Sequence, residues 1–215
     1  MSTSDIMKLK DVTGAGIKNC KEALDECKGD FEKAVALLRE KGIASANKKS
    51  DSDRIAAEGT VGVYSHFGKI GVIVEVNCET DFAAKSEKFQ ELVKNIAMQI
   101  AASNPLYLNE SEVPTAELDK EREILRKKAK AEKKPDAIIE KMLEGQVKKY
   151  YGEVCLVHQS YVKDPSKTIK DVVTEAIATI GEKITIRRFV RYELGEGIEK
   201  KSENFAQEVA KAQKS

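Results

Sequence analysis

Glu79-Thr80-Asp81-Phe82 puts two carboxylates, a hydroxyl and a benzyl ring in consecutive positions. Just before it, Ile70, Val72, Val74, Val76 and Cys78 alternate with Gly71, Ile73, Glu75 and Asn77. That two-residue period predicts a strand with one fully apolar face. Behind it, Phe89, Leu92, Val93, Ile96, Ala97, Ile100 and Ala101 fall on one stripe of a helix over about 86–103. Asp81 and Phe82 thus stand at a strand-to-helix junction, a rigid base that can offer both to a partner. Two structural roles compete with that one. Asp81 suits a helix N-cap, and Phe82 suits a staple packed back on the helix.

Other chemistry is sparse. His66 and His158 are far apart, and neither has a Ser, Cys or Asp partner pattern, so a hydrolase centre is disfavoured. Gly14-Ala15-Gly16 lacks the third glycine, the Lys-Ser/Thr pair and the preceding strand of a phosphate loop. Cys20, Cys27, Cys78 and Cys155 show no CxxC spacing and read as small buried hydrophobes of a reduced compartment. No metal site and no cofactor is expected.

The chain has 215 residues, enough for one medium domain and a small one. Lys and Arg total 37 against 36 Asp and Glu, a net charge of +1. A protein that binds nucleic acid through phosphates usually carries a marked basic excess, so direct nucleic-acid binding is not expected. No apolar run reaches membrane-spanning length and no signal-peptide core is visible, so a cytoplasmic protein is expected.

The elements that would position the junction can be read in order. Residues 1–45 form a three-helix module. Ile6, Leu9 and Val12 line its first helix, which stops at Thr13-Gly14-Ala15-Gly16. Ile17, Cys20, Leu24 and Cys27 line the second, with Gly29 as its stop. Asp30 caps the third, whose stripe is Phe31, Ala34, Val35 and Leu38, ending at Gly42. Residues 46–57 are polar and read as a linker. The core spans 58–194. Strands 60–67 and 70–78 make a hairpin at Gly68. A proline-broken pair of charged helices over about 114–151 makes a helical hairpin, with Ile138, Ile139, Met142, Val147 and Tyr150 on its second stripe. Val154-Cys155-Leu156-Val157 is a short apolar run, and Lys163-Asp164-Pro165-Ser166 a turn. Thr168 with Asp171 opens a helix ending at Gly181. A last strand, 183–192, carries Ile184, Ile186, Val190 and Tyr192 on one face, interrupted by Arg188, which implies a strand end or a buried ion pair. Residues 195–215 form a C-terminal module in which Phe205, Val209 and Ala212 could line a helix.

The expected fold class is α+β: a three-stranded antiparallel sheet covered by helices 86–103 and 168–180, the helical hairpin, and the N-terminal module. So small a sheet leaves bare edges, which invite pairing with a second copy.

Two long segments carry a family resemblance. Thr13-Gly14-Ala15-Gly16-Ile17-Lys18-Asn19-Cys20-Lys21-Glu22-Ala23-Leu24 and Glu75-Val76-Asn77-Cys78-Glu79-Thr80-Asp81-Phe82 resemble the two signatures of the elongation factor Ts family. Asn104-Pro105, Pro135 with Glu140-Lys141-Met142, Pro165-Ser166-Lys167-Thr168, Ile186-Arg187-Arg188-Phe189 and Gly195-Glu196-Gly197-Ile198-Glu199-Lys200 match it in the same order. The resemblance implies a ubiquitin-associated-like N-terminal module and a short form that pairs as a homodimer. It also implies guanine-nucleotide exchange on elongation factor Tu, with no catalytic residue of its own. Thr80, Asp81, Phe82 and Ala83 would enter beside the partner's nucleotide pocket and disturb its Mg²⁺. Thr13, Gly14, Ala15, Gly16, Ile17, Lys18 and Cys20 would hold the partner's nucleotide domain. Two positions depart from the family: Ile17-Lys18 stands where two methionines are common, and Ala83 where valine is usual. The runner-up reading is a ribosome- or RNA-associated protein using the Lys-rich hairpin around 120–150.

Overall fold

In the computed structural model, residues 3–131 and 135–198 are described. The element order is α1 (Thr3–Thr13), α2 (Ile17–Glu26), α3 (Phe31–Ser50), β1 (Glu58–His66), β2 (Ile70–Cys78), α4 (Asp81–Lys85), α5 (Glu87–Ser103), α6 (Thr115–Ala131), α7 (Asp136–Val154), β3 (Ser160–Tyr161), β4 (Asp164–Thr168), α8 (Ile169–Ile180) and β5 (Thr185–Glu193). The α+β expectation holds, and the three-stranded sheet has the order β1-β2-β5, antiparallel throughout.

Alternation on β2 does what the pattern dictates. Val72, Val74, Val76 and Cys78 are fully buried, and Gly71 and Ile73 face out. The β1–β2 turn places Phe67 (φ 48) and Gly68 (φ 66) in the left-handed region, and the Lys69 N–H donates to the His66 carbonyl. Two positive-φ central residues make this a type I′ turn, whose twist suits a hairpin. Helix α5 lies on the inner face of β1 and β2, its stripe from Phe89 to Ala101 buried as expected. Its approach depends on Gly62, where a Cβ would sit 2.4 Å from Val93 Cγ1. Ser86 caps α5 by accepting from the Phe89 N–H, and Asn104, in the left-handed region, ends it.

Helix α8 begins with the expected capping box of Thr168 and Asp171 and ends at Gly181 (φ 88). It packs against α5 and α3, so α5 is the helix laid on the strands while α8 joins the same core through Ile169 and Ile177.

Several expectations change. Helix α3 does not stop at Gly42; it runs on to Ser50, and the first residues of the expected 46–57 linker are helical. Gly42 serves a close approach instead: a Cβ there would lie 3.4 Å from Ala178 Cβ of α8. Ala46 is buried in the main core, and Arg39 reaches Glu175 on α8 at 3.2 Å. In α1 only Leu9 is fully buried, and Val12 is exposed.

On β5 a register shift opposite Glu75 and Val76 inserts one extra residue. The bulge reverses the faces beyond it. Ile184 and Ile186 stay buried, but Val190 and Tyr192 turn to the outer face, and Phe189 packs on the core. Arg188 marks neither a strand end nor a buried pair; with Arg187 it clamps Glu75 at the surface, at 2.6 and 2.8 Å.

In the helical hairpin the seam takes Ile139 and Leu143 rather than Ile138 and Met142, which are exposed. The sequence pattern places the end of its first helix near Lys134, which lies outside the described residues. The apolar run 154–157 ends α7 and enters a 3₁₀ turn. Residues 160–168 form a small two-stranded ribbon, β3–β4, where only a turn was expected. Of the C-terminal module, 199–215, including Phe205, Val209 and Ala212, lies outside the described residues.

Candidate functional site

The Glu79–Phe82 junction follows from β2 running out of pattern. Cys78 is the last buried residue of the strand, and its thiol donates to the Thr80 carbonyl at 3.2 Å. The N-cap of α4 is Thr80, not Asp81: the Ala83 N–H donates to Thr80 Oγ1 at 3.2 Å. That leaves the Asp81 carboxylate free to turn along the helix, where Lys85 Nζ meets it at 2.8 Å. The hydrogen bond from Lys85 holds the Asp81 carboxyl below the usual carboxylate range.

Phe82 is not a staple. It stands 83% exposed on the first turn of α4, while its neighbours Ala83 and Ala84 are buried. The first turn thus buries two small residues and leaves its one large apolar ring in water. Ala83 is buried, so the methyl groups it lacks relative to valine are missing from the core side of α4.

Residues remote in sequence hold the junction. Glu182 Oε2 accepts from the Thr80 N–H at 3.0 Å, and its Oε1 from the Thr80 hydroxyl at 2.7 Å. The Lys183 N–H donates to Glu79 Oε1 at 2.8 Å, and Arg54 reaches the same carboxylate at 3.1 Å. The Lys183 amide, then Arg54, hold the Glu79 carboxyl below its ordinary range. Sequence reasoning missed Glu182, Arg54 and Lys85; the only local signal was Gly181, which marked a turn and not what the turn touches.

The second set of candidate residues surrounds the α1–α2 turn. The Thr13 hydroxyl donates to the Leu9 carbonyl at 2.6 Å and accepts from the Ala15 N–H at 3.3 Å. Gly14 (φ 69) allows the reversal, and Gly16 precedes α2. Ile17 and Lys18 point outward, whereas Cys20 is buried and its thiol donates to the Ala15 carbonyl at 3.5 Å. A Cβ on Gly14 would lie 3.3 Å from Thr179 Cγ2 of α8 and 3.6 Å from Lys88 Nζ of α5. The fold thus brings this turn up to the helix that directly follows α4.

The two histidines are not brought together with a nucleophile. His66 lies against Tyr64 and Phe67, and His158 bonds Glu110, whose carboxyl it holds below the usual range. Cys20, Cys78 and Cys155 are buried thiols and Cys27 is half-buried. Among the described residues, no group of three or more His, Cys, Asp or Glu is placed to hold a metal, and no helix is long and apolar enough to cross a membrane.

Comparison with known proteins places the chain. The family described as Elongation factor TS matches residues 8–196. Among curated relatives, an elongation factor Ts from Alkaliphilus oremlandii is 55% identical over 211 residues, covering 98% of this chain and 97% of its own length. One from Acetivibrio thermocellus is 56% identical over 213 residues, covering 98% of each. One from Geotalea daltonii is 55% identical, covering 99% of this chain and 98% of its own. With nearly full-length identity of this order and a family match from the first helix to the last strand, the chain belongs to the elongation factor Ts family of translation elongation factors.

Proposed function

We propose that the chain accelerates GDP release from elongation factor Tu by inserting Asp81 and Phe82 beside the nucleotide pocket. The insertion disturbs the partner's Mg²⁺ and stabilises the nucleotide-free state until GTP binds. The observation that carries this reading is the outward benzyl ring of Phe82 on a capped junction, 83% exposed among the described residues. Exposed Ile17 and Lys18, on the turn approached by α5 and α8, are suited to grip the same partner from a second side.

The physics is linkage. A factor that favours the nucleotide-free partner weakens GDP by the same ratio. A ratio of about 10⁴ requires roughly 5.5 kcal/mol of differential affinity. Burying one Phe supplies about 1.5–3 kcal/mol. Contacts near the magnesium ion, which neutralises phosphate charge, and the other surfaces supply the remainder. No covalent step occurs on this chain, so it is not an enzyme in that sense, and the reaction puts it in the cytoplasm. The test is release of labelled GDP from elongation factor Tu on addition of the chain, with Phe82→Ala alongside. Fast release that the variant loses supports the reading; no acceleration by the natural chain overturns it, and steeply salt-dependent RNA binding would favour the hairpin alternative.

The same reading includes a homodimer. The outer face of the sheet carries Val63, Ile73 and Val190 side by side in register, with exposed Val61 and Tyr192 in adjacent rows. An apolar row three strands wide, beside the Glu75–Arg187–Arg188 cluster, suits a second copy of the same face.

A further inference from the structure

We propose that Glu182 is a positioning residue for exchange: its carboxylate grips Thr80 and sets the direction in which α4 presents Asp81 and Phe82. The inference rests on the exchange reading above and adds to it a residue that acts through Thr80.

The grip is two-handed. One oxygen of Glu182 takes the Thr80 N–H at 3.0 Å and the other takes the Thr80 hydroxyl at 2.7 Å. A hydroxyl has one proton and two lone pairs. Giving the proton to Glu182 leaves the lone pairs free to accept from the Ala83 N–H, which is the α4 cap. The carboxylate and the cap therefore demand the same rotamer of Thr80, and each reinforces the other. With both in place, the first turn of a five-residue helix has one orientation relative to the sheet.

The turn that supplies Glu182 is itself braced. Its next residue, Lys183, donates its N–H to Glu79 at 2.8 Å, so two neighbours in the turn hold two neighbours in the junction. Lys49 Nζ bonds the Gly181 carbonyl, and Lys183 Nζ bonds the Ser52 carbonyl. Arg54 adds its pair with Glu79. Lys49 lies in the last turn of α3 and Ser52 and Arg54 just beyond it, so the junction and the N-terminal module share one frame. Glu182 is where that frame meets the residue preceding Asp81 and Phe82.

A brace of this kind acts on the rate within the complex rather than on docking, because the other contact surfaces remain. The test uses the full chain and elongation factor Tu loaded with a fluorescent GDP, with release followed against factor concentration well below every variant's melting point. For Glu182→Ala the plateau rate falls about ten-fold, the factor for one charged hydrogen bond lost from the positioned state, while the half-saturating concentration moves less than about three-fold. Glu182→Gln, which keeps one acceptor, recovers part of the plateau. In a Thr80→Val background, Glu182→Ala costs much less than in the natural chain, because the two groups act as a pair. A natural plateau for Glu182→Ala with activity lost in Phe82→Ala overturns this inference alone, as does a lowered melting temperature with an unchanged plateau. A natural plateau for Phe82→Ala overturns the exchange reading itself, whatever Glu182 does.

Discussion

At the scale of single residues, the outward ring separates folding from function. Phe82 is exposed, so Phe82→Ala should leave stability within about 0.5 kcal/mol, the usual range for surface substitutions. The same change should cut the saturated GDP-release rate by about ten-fold or more, as expected for losing one ring that is buried only in the complex. Thermal melts and stopped-flow release on the same preparations check both halves. Asp81 adds a pH statement. The Lys85 hydrogen bond depresses its carboxyl, so the charged form is the native one at neutrality, and the contact is lost only as pH falls through that lowered value. Exchange should therefore show no Asp81 ionisation between about pH 5 and 8. Cys155 has the opposite sign. Burial pushes its thiol from 9.0 up to about 11, so stability is full below the ordinary value and declines as pH rises through that window. Cys155→Ala should flatten the alkaline fall in melting temperature, and a thiol reagent at pH 8 should modify half-buried Cys27 before Cys155.

At the scale of elements, glycines and caps decide how closely helices can sit. Gly62 admits α5 onto β1 at a distance no side chain allows, a Cβ falling 2.4 Å from Val93 Cγ1. Gly62→Ala should therefore destabilise by about 1–3 kcal/mol through overpacking, read as a shift in the denaturant midpoint. Helix α8 depends on its reciprocal cap, and Thr168→Ala should cost about 1 kcal/mol. These elements also show where reading a sequence succeeds. A long stripe such as Phe89–Ala101 and an alternating run such as Ile70–Cys78 were legible because a single period extends over many residues. The bulge at Arg187 and Arg188 was not, because one extra residue leaves composition untouched and only inverts the faces that follow. Gly42 was misread for a related reason: a glycine that stops a helix and one that admits a neighbouring helix look alike until the neighbour is known.

At the scale of the whole molecule, the outer sheet face leaves Val61, Val63, Ile73, Val190 and Tyr192 exposed among the described residues. Ile73→Asp puts a charge at the middle of the Val63–Ile73–Val190 row and should convert the proposed dimer to a monomer in light scattering at micromolar concentration, with the fold retained by circular dichroism. A natural chain that is strictly monomeric and still drives exchange would remove the pairing argument.

The sequence alone determined the α+β class, the extent of β2 and α5, the stops at Gly29 and Gly181, and the presence of an acidic and an aromatic residue at a strand-to-helix junction. Each of these follows from contacts between near neighbours, so spacing is sufficient to expose it. Only the tertiary structure decided that Thr80 rather than Asp81 caps α4, that Phe82 faces outward while Ala83 and Ala84 are buried, and that Glu182 holds the junction from 102 residues away. Those outcomes depend on which partners the fold brings within hydrogen-bonding range. A carboxylate's partner across the chain leaves no periodic trace in the order of the residues.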